Sequence, residues 1–185
     1  MTTQAASKWA IDAAHSEIGF KVKHLMISTV TGQFNKFDGS FETNGDDFTT
    51  AKASITLDLD SISTNNAQRD AHLKNNDFFD MVNHPKLTFE SSKVTKVDDE
   101  NYKVEGLLTM RGVAKKIDLD IEYGGIIKDP WGNTRVGFSL SGKINRKDWG
   151  VSFGIVTDTG GLGLGDEVKI SANVEFVKQA ALQPA

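Results

Sequence analysis

Four histidines, His15, His24, His72 and His84, are the side chains best suited to hold a metal ion or to move a proton near neutral pH. Their spacing argues against both roles. No two stand on successive helical turns or as a strand-spaced His-x-His, and no carboxylate joins them at metal-ligand spacing along the chain, so neither a metal site nor a catalytic residue is expected. His24 shares its strand phase with Phe20 and Val22, which turns it inward, either as a hydrogen-bonded core residue or toward the polar head of a ligand. Asp58, Asp60, Asp118, Asp120 and Glu122 look like carboxylate pairs for acid–base work. Their phase is outward, and solubility is the expected role.

Three arginines stand in polar clusters beside apolar segments: Arg69 with Asp70 and His72, Arg111 before Gly112, and Arg146 with Asp148. A guanidinium tucked against an apolar wall needs a carboxylate or an anionic ligand to offset its desolvation. Arg–Asp pairing within the chain and a head-group role are level alternatives on the sequence alone. Other chemistry is missing its motif. There is no Gly-x-Ser-x-Gly elbow and no cofactor fingerprint, and none of the zero cysteines can supply a thiolate, a disulfide or a cluster ligand. The stretch Gly160-Gly-Leu-Gly-Leu-Gly165 has the glycine content of a phosphate loop. It lacks both a following helix and a Lys-Ser or Lys-Thr, and is expected to be a flexible hairpin loop.

The elements that would position these groups are strands. Ile18, Phe20 and Val22 alternate with Glu17, Lys21 and Lys23, and Ala53, Ile55, Leu57 and Leu59 alternate with Lys52, Ser54, Thr56 and Asp58. The same period of two recurs in Ile117, Leu119, Ile121 and Tyr123, in Val136, Phe138, Leu140 and Ile144, and in Val168, Ile170, Ala172, Val174 and Phe176. The phase flips between Phe34 and Phe37, which calls for a bulge or a corner there. Helical signals are confined to Asn65 to about Pro85: Asn65 or Asn66 can cap Ala67 to Leu73, and Asp77 can cap a second turn over Phe78 to Met81. Two such pieces cannot cover the apolar faces of some eight strands, so the sheet must bury that face against itself. Long strands with polar exteriors, and glycines at positions 19, 32, 39, 106, 137 and 142, favour closure into an antiparallel β-barrel with the helical insertion capping one end.

At 185 residues and a net charge of -4, with a pI near 5.6, the chain reads as one domain over residues 1–185, ordered from about 8 to 178 with a frayed C-terminal tail. Interspersed acids and bases leave no basic stripe for a nucleic-acid partner. The start, Met1 to Lys8, lacks the pattern of a secretion leader, and no run is long enough to span a bilayer. The expected location is the cytoplasm for the chain as it stands, or the periplasm where a leader has been removed.

His15-Ser-Glu-Ile-Gly-Phe20 with Lys23-His24, then Gly32-Gln-Phe34 and Phe37-Asp-Gly39, resemble the YceI-like family of polyisoprenoid-binding proteins. The resemblance continues through Arg69-Asp-Ala-His-Leu73, Asp77-Phe-Phe-Asp80 and His84-Pro-Lys-Leu-Thr-Phe89. It extends to Leu107-Leu-Thr-Met-Arg-Gly112, Ile144-Asn-Arg-Lys-Asp-Trp-Gly150 and Gly165-Asp-Glu-Val168, in order along nearly the whole chain. Trp149 stands where the family pattern has Phe, which keeps an aromatic ring. The resemblance implies an all-β, lipocalin-like extended closed barrel, homodimerisation, and a long isoprenoid or related amphiphile held inside, without established catalysis and without a cofactor. On that expectation the tail is assigned to Phe20, Val22, Phe34, Ile55, Leu57, Phe89, Leu119, Phe138 and Leu140. The head is assigned to some of His24, Arg69, Arg111 and Arg146. Transport or storage of the lipid, with transient membrane contact, is the expected task. A histidine-dependent hydrolase or isoprenoid-modifying enzyme, and a ligand-free structural barrel, are the rival readings, and hollowness of the barrel is what separates the last of them.

Overall fold

Strands that are polar on one face and apolar on the other stabilise a sheet only when the apolar faces meet. The computed structural model describes residues 6–25, 27–152 and 163–180, and its strands form one continuous antiparallel sheet that closes on itself. They are β1 (Ala6–Ile11), β2 (Glu17–His24), β3 (Ser28–Phe34), β4 (Phe37–Asn44), β5 (Asp47–Asp58), β6 (Ile62–Ser63), β7 (Lys86–Lys96), β8 (Asn101–Met110), β9 (Val113–Lys128), β10 (Thr134–Asn145) and β11 (Leu164–Lys178). The helix α1 (Ala67–Lys74) lies between β6 and β7.

The order around the sheet is β1-β4-β5-β7-β8-β9-β10-β11-β2-β3-β6, and β1 pairs with β11 to close it. Phe176 to Lys178 of β11 hold β1, while its residues from Leu164 to Asn173 hold β2. β1 with β2, β3 with β4, and β5 with β6 therefore behave as three interrupted strands, and the closed antiparallel barrel has eight staves. Each interruption has a local cause. Asp12 accepts a hydrogen bond from the Ala14 amide at 3.1 Å and nucleates a turn over Ala13–His15, and Asp58 does the same for Leu59–Ser61 through the Asp60 amide. Asp58 is thus a half-buried cap instead of the outward-facing carboxylate its phase suggested. The phase flip between Phe34 and Phe37 is a corner, bridged by Asn35 and Lys36, whose backbone hydrogen-bonds to Ser61 and Asp58.

Antiparallel alternation sorts the connections between two ends. One end carries the β2–β3 hairpin, the segment from Thr64 to Pro85 with α1, the β8–β9 turn and the β10–β11 connection; the other carries the β4–β5, β7–β8 and β9–β10 hairpins. Asn66 caps α1 by accepting from the Arg69 amide at 3.0 Å. The second helical turn expected over Phe78 to Met81 is not formed. Asp77 accepts from His72 Nε2 at 2.8 Å instead of capping, and Asn76 to Asn83 run as consecutive turns. Of the glycine stretch, positions 160–162 lie outside the described residues, as do residues 181–185 of the tail.

Two buried clusters divide the interior. Phe34, Leu59, Ile62, Phe78, Leu87, Met110, Ile117, Leu119, Trp149 and Val151 pack at the helical end, with Leu73 and Phe79 of the insertion against them. Trp9, Ile18, Phe41, Val136, Ala172, Val174 and Phe176 pack at the other.

Candidate functional site

The inward phases of the strands converge on a cavity of about 460 Å³ running between the two clusters. That volume lies within the range of roughly 300–1,000 Å³ typical of small-molecule sites, far above the space of one water. The barrel is hollow. All nine side chains assigned to the tail line it: Phe20, Val22, Phe34, Ile55, Leu57, Phe89, Leu119, Phe138 and Leu140. Its wall is overwhelmingly aliphatic and aromatic. The basic side chains on the lining, His24, Arg69, His72 and Arg146, all belong to the helical end. His24, Leu25 and Arg69 are the exposed members of the lining, so the cavity opens there.

Rings close the opposite end. Phe41 stacks on Trp9 at 5.6 Å between centroids and meets Phe176 edge-on at 4.8 Å, while Phe48 meets Phe138 edge-on at 5.6 Å and Tyr123 at 5.7 Å. Edge-to-face and offset contacts of this kind add to the area they bury, because the positive rim of one ring faces the negative face of the next. Burial raises the Tyr123 hydroxyl pKa above its ordinary value, with Tyr102 and Asp46 nearby acting in the same direction. The sequence phase had already turned Tyr123 and Phe176 inward. Phe41 and Phe48 lie beyond a corner and a hairpin, where phase alone does not carry.

The three arginines take up partners other than the adjacent aspartates. Arg69 donates through Nε to Thr64 Oγ1 and through Nη2 to the Thr64 carbonyl, both at 2.7 Å, while Asp70 accepts from the Thr64 amide and hydroxyl. Thr64 stands between the two charges. Arg146, 4% exposed, donates to the carbonyls of Gly165 at 2.9 Å and Val151 at 2.7 Å, and its ion pair is with Asp166 at 3.6 Å, not with Asp148. Burial pushes its pKa down and Asp166 opposes the shift. Arg111 does not line the cavity. Its backbone takes a left-handed φ of 54° in the β8–β9 turn, which sends the side chain outward to the carbonyls of Asn76 and Phe78. It pins the turns of the insertion and is withdrawn from the head-group set.

Tertiary contact also assembles a cluster that linear spacing hides. Ligand-type atoms of Asp12, His15 and Glu175 lie within 4.8 Å of one another on the barrel exterior. Arg135 fills it: Nη1 donates to Asp12 at 2.7 Å and Glu175 at 2.8 Å, and Nε donates to Asp129 at 2.7 Å. A fixed positive charge already at hydrogen-bond distance opposes a cation there. Hydrogen bonding to Arg135, then to His15, holds the Asp12 carboxyl at about 2, below its ordinary 3.8. Of the remaining histidines, His72 is edge-on to Phe78 at 5.0 Å and lines the cavity, a placement its helical position left open; His84 packs against Gly112.

A model of the YceI-like domain matches residues 9–176. A UPF0312 protein of Staphylococcus aureus strain N315 is 42% identical over 171 residues, covering 92% of this chain and 97% of the relative. The solved structure of the Campylobacter jejuni YCEI protein is 36% identical with a TM-score of 0.74, over 91% of this chain and 96% of that one. A polyisoprenoid binding domain from Saccharophagus degradans superposes with a TM-score of 0.71 at 14% identity, over 92% and 98% of the two chains, a likeness of fold.

Proposed function

The chain belongs to the YceI-like family, and from that premise we propose that it binds a long-chain amphiphilic lipid, a polyisoprenoid of the quinone or prenyl-phosphate type, as a carrier or store and not as a catalyst. The observation that supports this most is the one-sided distribution of polarity around the cavity: an apolar tube with its basic side chains gathered at the open end. Each methylene moved from water into such a tube contributes about 0.8 kcal/mol. A chain of some twenty carbons would then contribute on the order of 16 kcal/mol, against roughly 4–15 kcal/mol lost on immobilisation. Chain length supplies affinity. Selection of the head falls to Arg69, His72 and His24 at the rim, with Arg146 occupied by backbone carbonyls. The polyisoprenoid binding domain of Saccharophagus degradans lends the ligand class by its shared fold.

Exchange with a bilayer is the second part of the proposal. Leu25 both lines the cavity and is 41% exposed, and Ile27 and Val82 are 84% and 88% exposed, so the end at which the cavity opens also presents apolar side chains to the outside. A lipid leaving by that route would keep its tail out of water.

Mass spectrometry of an organic extract of the purified protein tests the reading directly. Wild type is expected to release a long-chain lipid and Phe138→Asp to release none, because a carboxylate there would sit unpaired among Phe41, Phe48 and Phe176. Arg69→Ala should keep its fold and change which head groups are retained. Equal lipid content in wild type and a folded Phe138→Asp protein would end the proposal. Turnover that disappears with a single histidine would put the enzyme reading in its place.

A further inference from the structure

Three bulky side chains on the cavity wall lie flat because the neighbouring strand offers no side chain beneath them. At Gly32 an added Cβ would stand 2.3 Å from Phe20 Cζ and 2.6 and 2.9 Å from its two Cε atoms. The tip of the ring therefore rests on the backbone of β3, across from its own strand, since Phe20 and Gly32 are direct partners in the ladder. Phe89 leans on the neighbouring strand diagonally, its Cζ 2.5 Å from where a Cβ would stand at Gly106, the partner of Ser91, and the Leu119 Cδ2 would be 2.6 Å from a Cβ at Gly142. None of these three glycines has a positive φ, so backbone conformation does not call for glycine at any of them. Space does. Side chains that lean sideways onto a bare backbone leave the middle of the tube free, whereas a methyl group beneath them would turn them toward the lumen.

We propose that Gly32, Gly106 and Gly142 set the bore of the tube, and that the bore selects for methyl-branched, isoprenoid-type chains over slimmer straight acyl chains. The inference rests on the carrier reading and names the feature of the chain that the cavity recognises. Gly32 carries it most cleanly. The three nearest atoms to a Cβ there all belong to the Phe20 ring, whereas at Gly106 the Glu90 carbonyl at 2.4 Å also blocks it and at Gly142 the Asp118 carbonyl lies at 3.2 Å. In Gly32→Ala the backbone can stay while the ring moves. The direction left to it is inward, since Phe34 already stands 5.9 Å away on the same wall. One group too many in an apolar pocket changes discrimination by roughly tenfold or more.

The test offers the full-length protein, freed of lipid, an equimolar mixture of phytanol and hexadecanol, saturated alcohols with the same main chain of which only phytanol is branched. The retained ratio is read by mass spectrometry. Wild type should favour phytanol, Gly32→Ala should shift the ratio toward hexadecanol by about tenfold, and Gly32→Ala with Phe20→Leu should restore it, because the shorter side chain no longer needs the bare glycine. A merely structural glycine would lower the melting temperature without moving the ratio. An unchanged ratio in folded Gly32→Ala, or no restoration in the double variant, overturns the proposal and leaves the carrier reading standing; retention of neither alcohol by wild type overturns both. Where Gly32→Ala fails to fold, Phe20→Leu alone decides, since widening the tube must raise the share of phytanol and an unchanged share refutes the bore as the selector.

Discussion

At the helical end of the barrel, side-chain donors reaching backbone carbonyls tie down the connections around an apolar cluster; at the other end the interior is closed by rings. Arg146 binds Gly165 and Val151, Arg111 binds Asn76 and Phe78, and Trp149 donates through Nε1 to the Leu108 carbonyl at 2.8 Å. Long irregular connections leave carbonyls without ladder partners, and a buried carbonyl without a partner is costly, so donors must be supplied from side chains. The short hairpins at the opposite end leave few such carbonyls. There Trp9, Phe41, Phe48, Phe138 and Phe176 fill the space, with the Trp9 Nε1 buried and without a hydrogen-bond partner among the described residues. A tube with one polar and one apolar end follows from where the long loops fall. An amphiphile has the same asymmetry.

The aromatic end is the more sensitive of the two to truncation. Phe41→Ala removes a ring that touches Trp9, Phe48, Phe138 and Phe176, and about 3–5 kcal/mol of stability should go with it, seen as a lower denaturant midpoint. A loss below the range for an exposed residue would show that the rings close around the gap. At the helical end, Arg146→Ala leaves the Gly165 and Val151 carbonyls without their donor, removes one of the two cations paired with Asp166, and should cost about 3 kcal/mol; Arg146→Lys should not restore it, since an ammonium cannot reproduce the fork.

The exterior network around Arg135 gives a smaller effect with a pH signature. Arg135→Ala should lower the melting temperature at neutral pH. An Asp12 carboxyl held at about 2 instead of 3.8 contributes stability that is fully present above 3.8 and is lost as the pH falls through about 2. The gap in melting temperature between wild type and Arg135→Ala should therefore narrow between those two values. A gap independent of pH would mean that packing of the arginine stem, not its charge, is what matters. Smallest of all, Asp118→Asn breaks only an exposed pair with Lys103 at 3.5 Å, and no measurable change in melting temperature is expected.

The barrel was legible because period-two alternation is a local property: Ile117, Leu119, Ile121 and Tyr123 occupy the inner face wherever β9 is placed. Of the cavity-lining residues, Phe20, Val22, Ile55, Leu57, Leu119, Phe138 and Leu140 followed from the same phase. The arginines did not, because Arg69 and Arg146 were read against the nearest aspartates in the sequence and Arg111 only against the turn at Gly112, while the carbonyls and the carboxylate they reach belong mostly to segments brought in by the fold. Arg135 escaped notice for the same reason, its partners Asp12 and Glu175 lying near opposite ends of the chain.

What the amino-acid sequence determined by itself is the binary pattern: which side chains are buried, that one short insertion is helical, and that apolar faces so numerous must close on each other. Whether the closed interior is solid or hollow was left to the tertiary structure. Hollowness depends on whether Phe20, Phe89 and Leu119 project across the tube or lie along its wall, and that is decided by the glycines that strand pairing sets beside them.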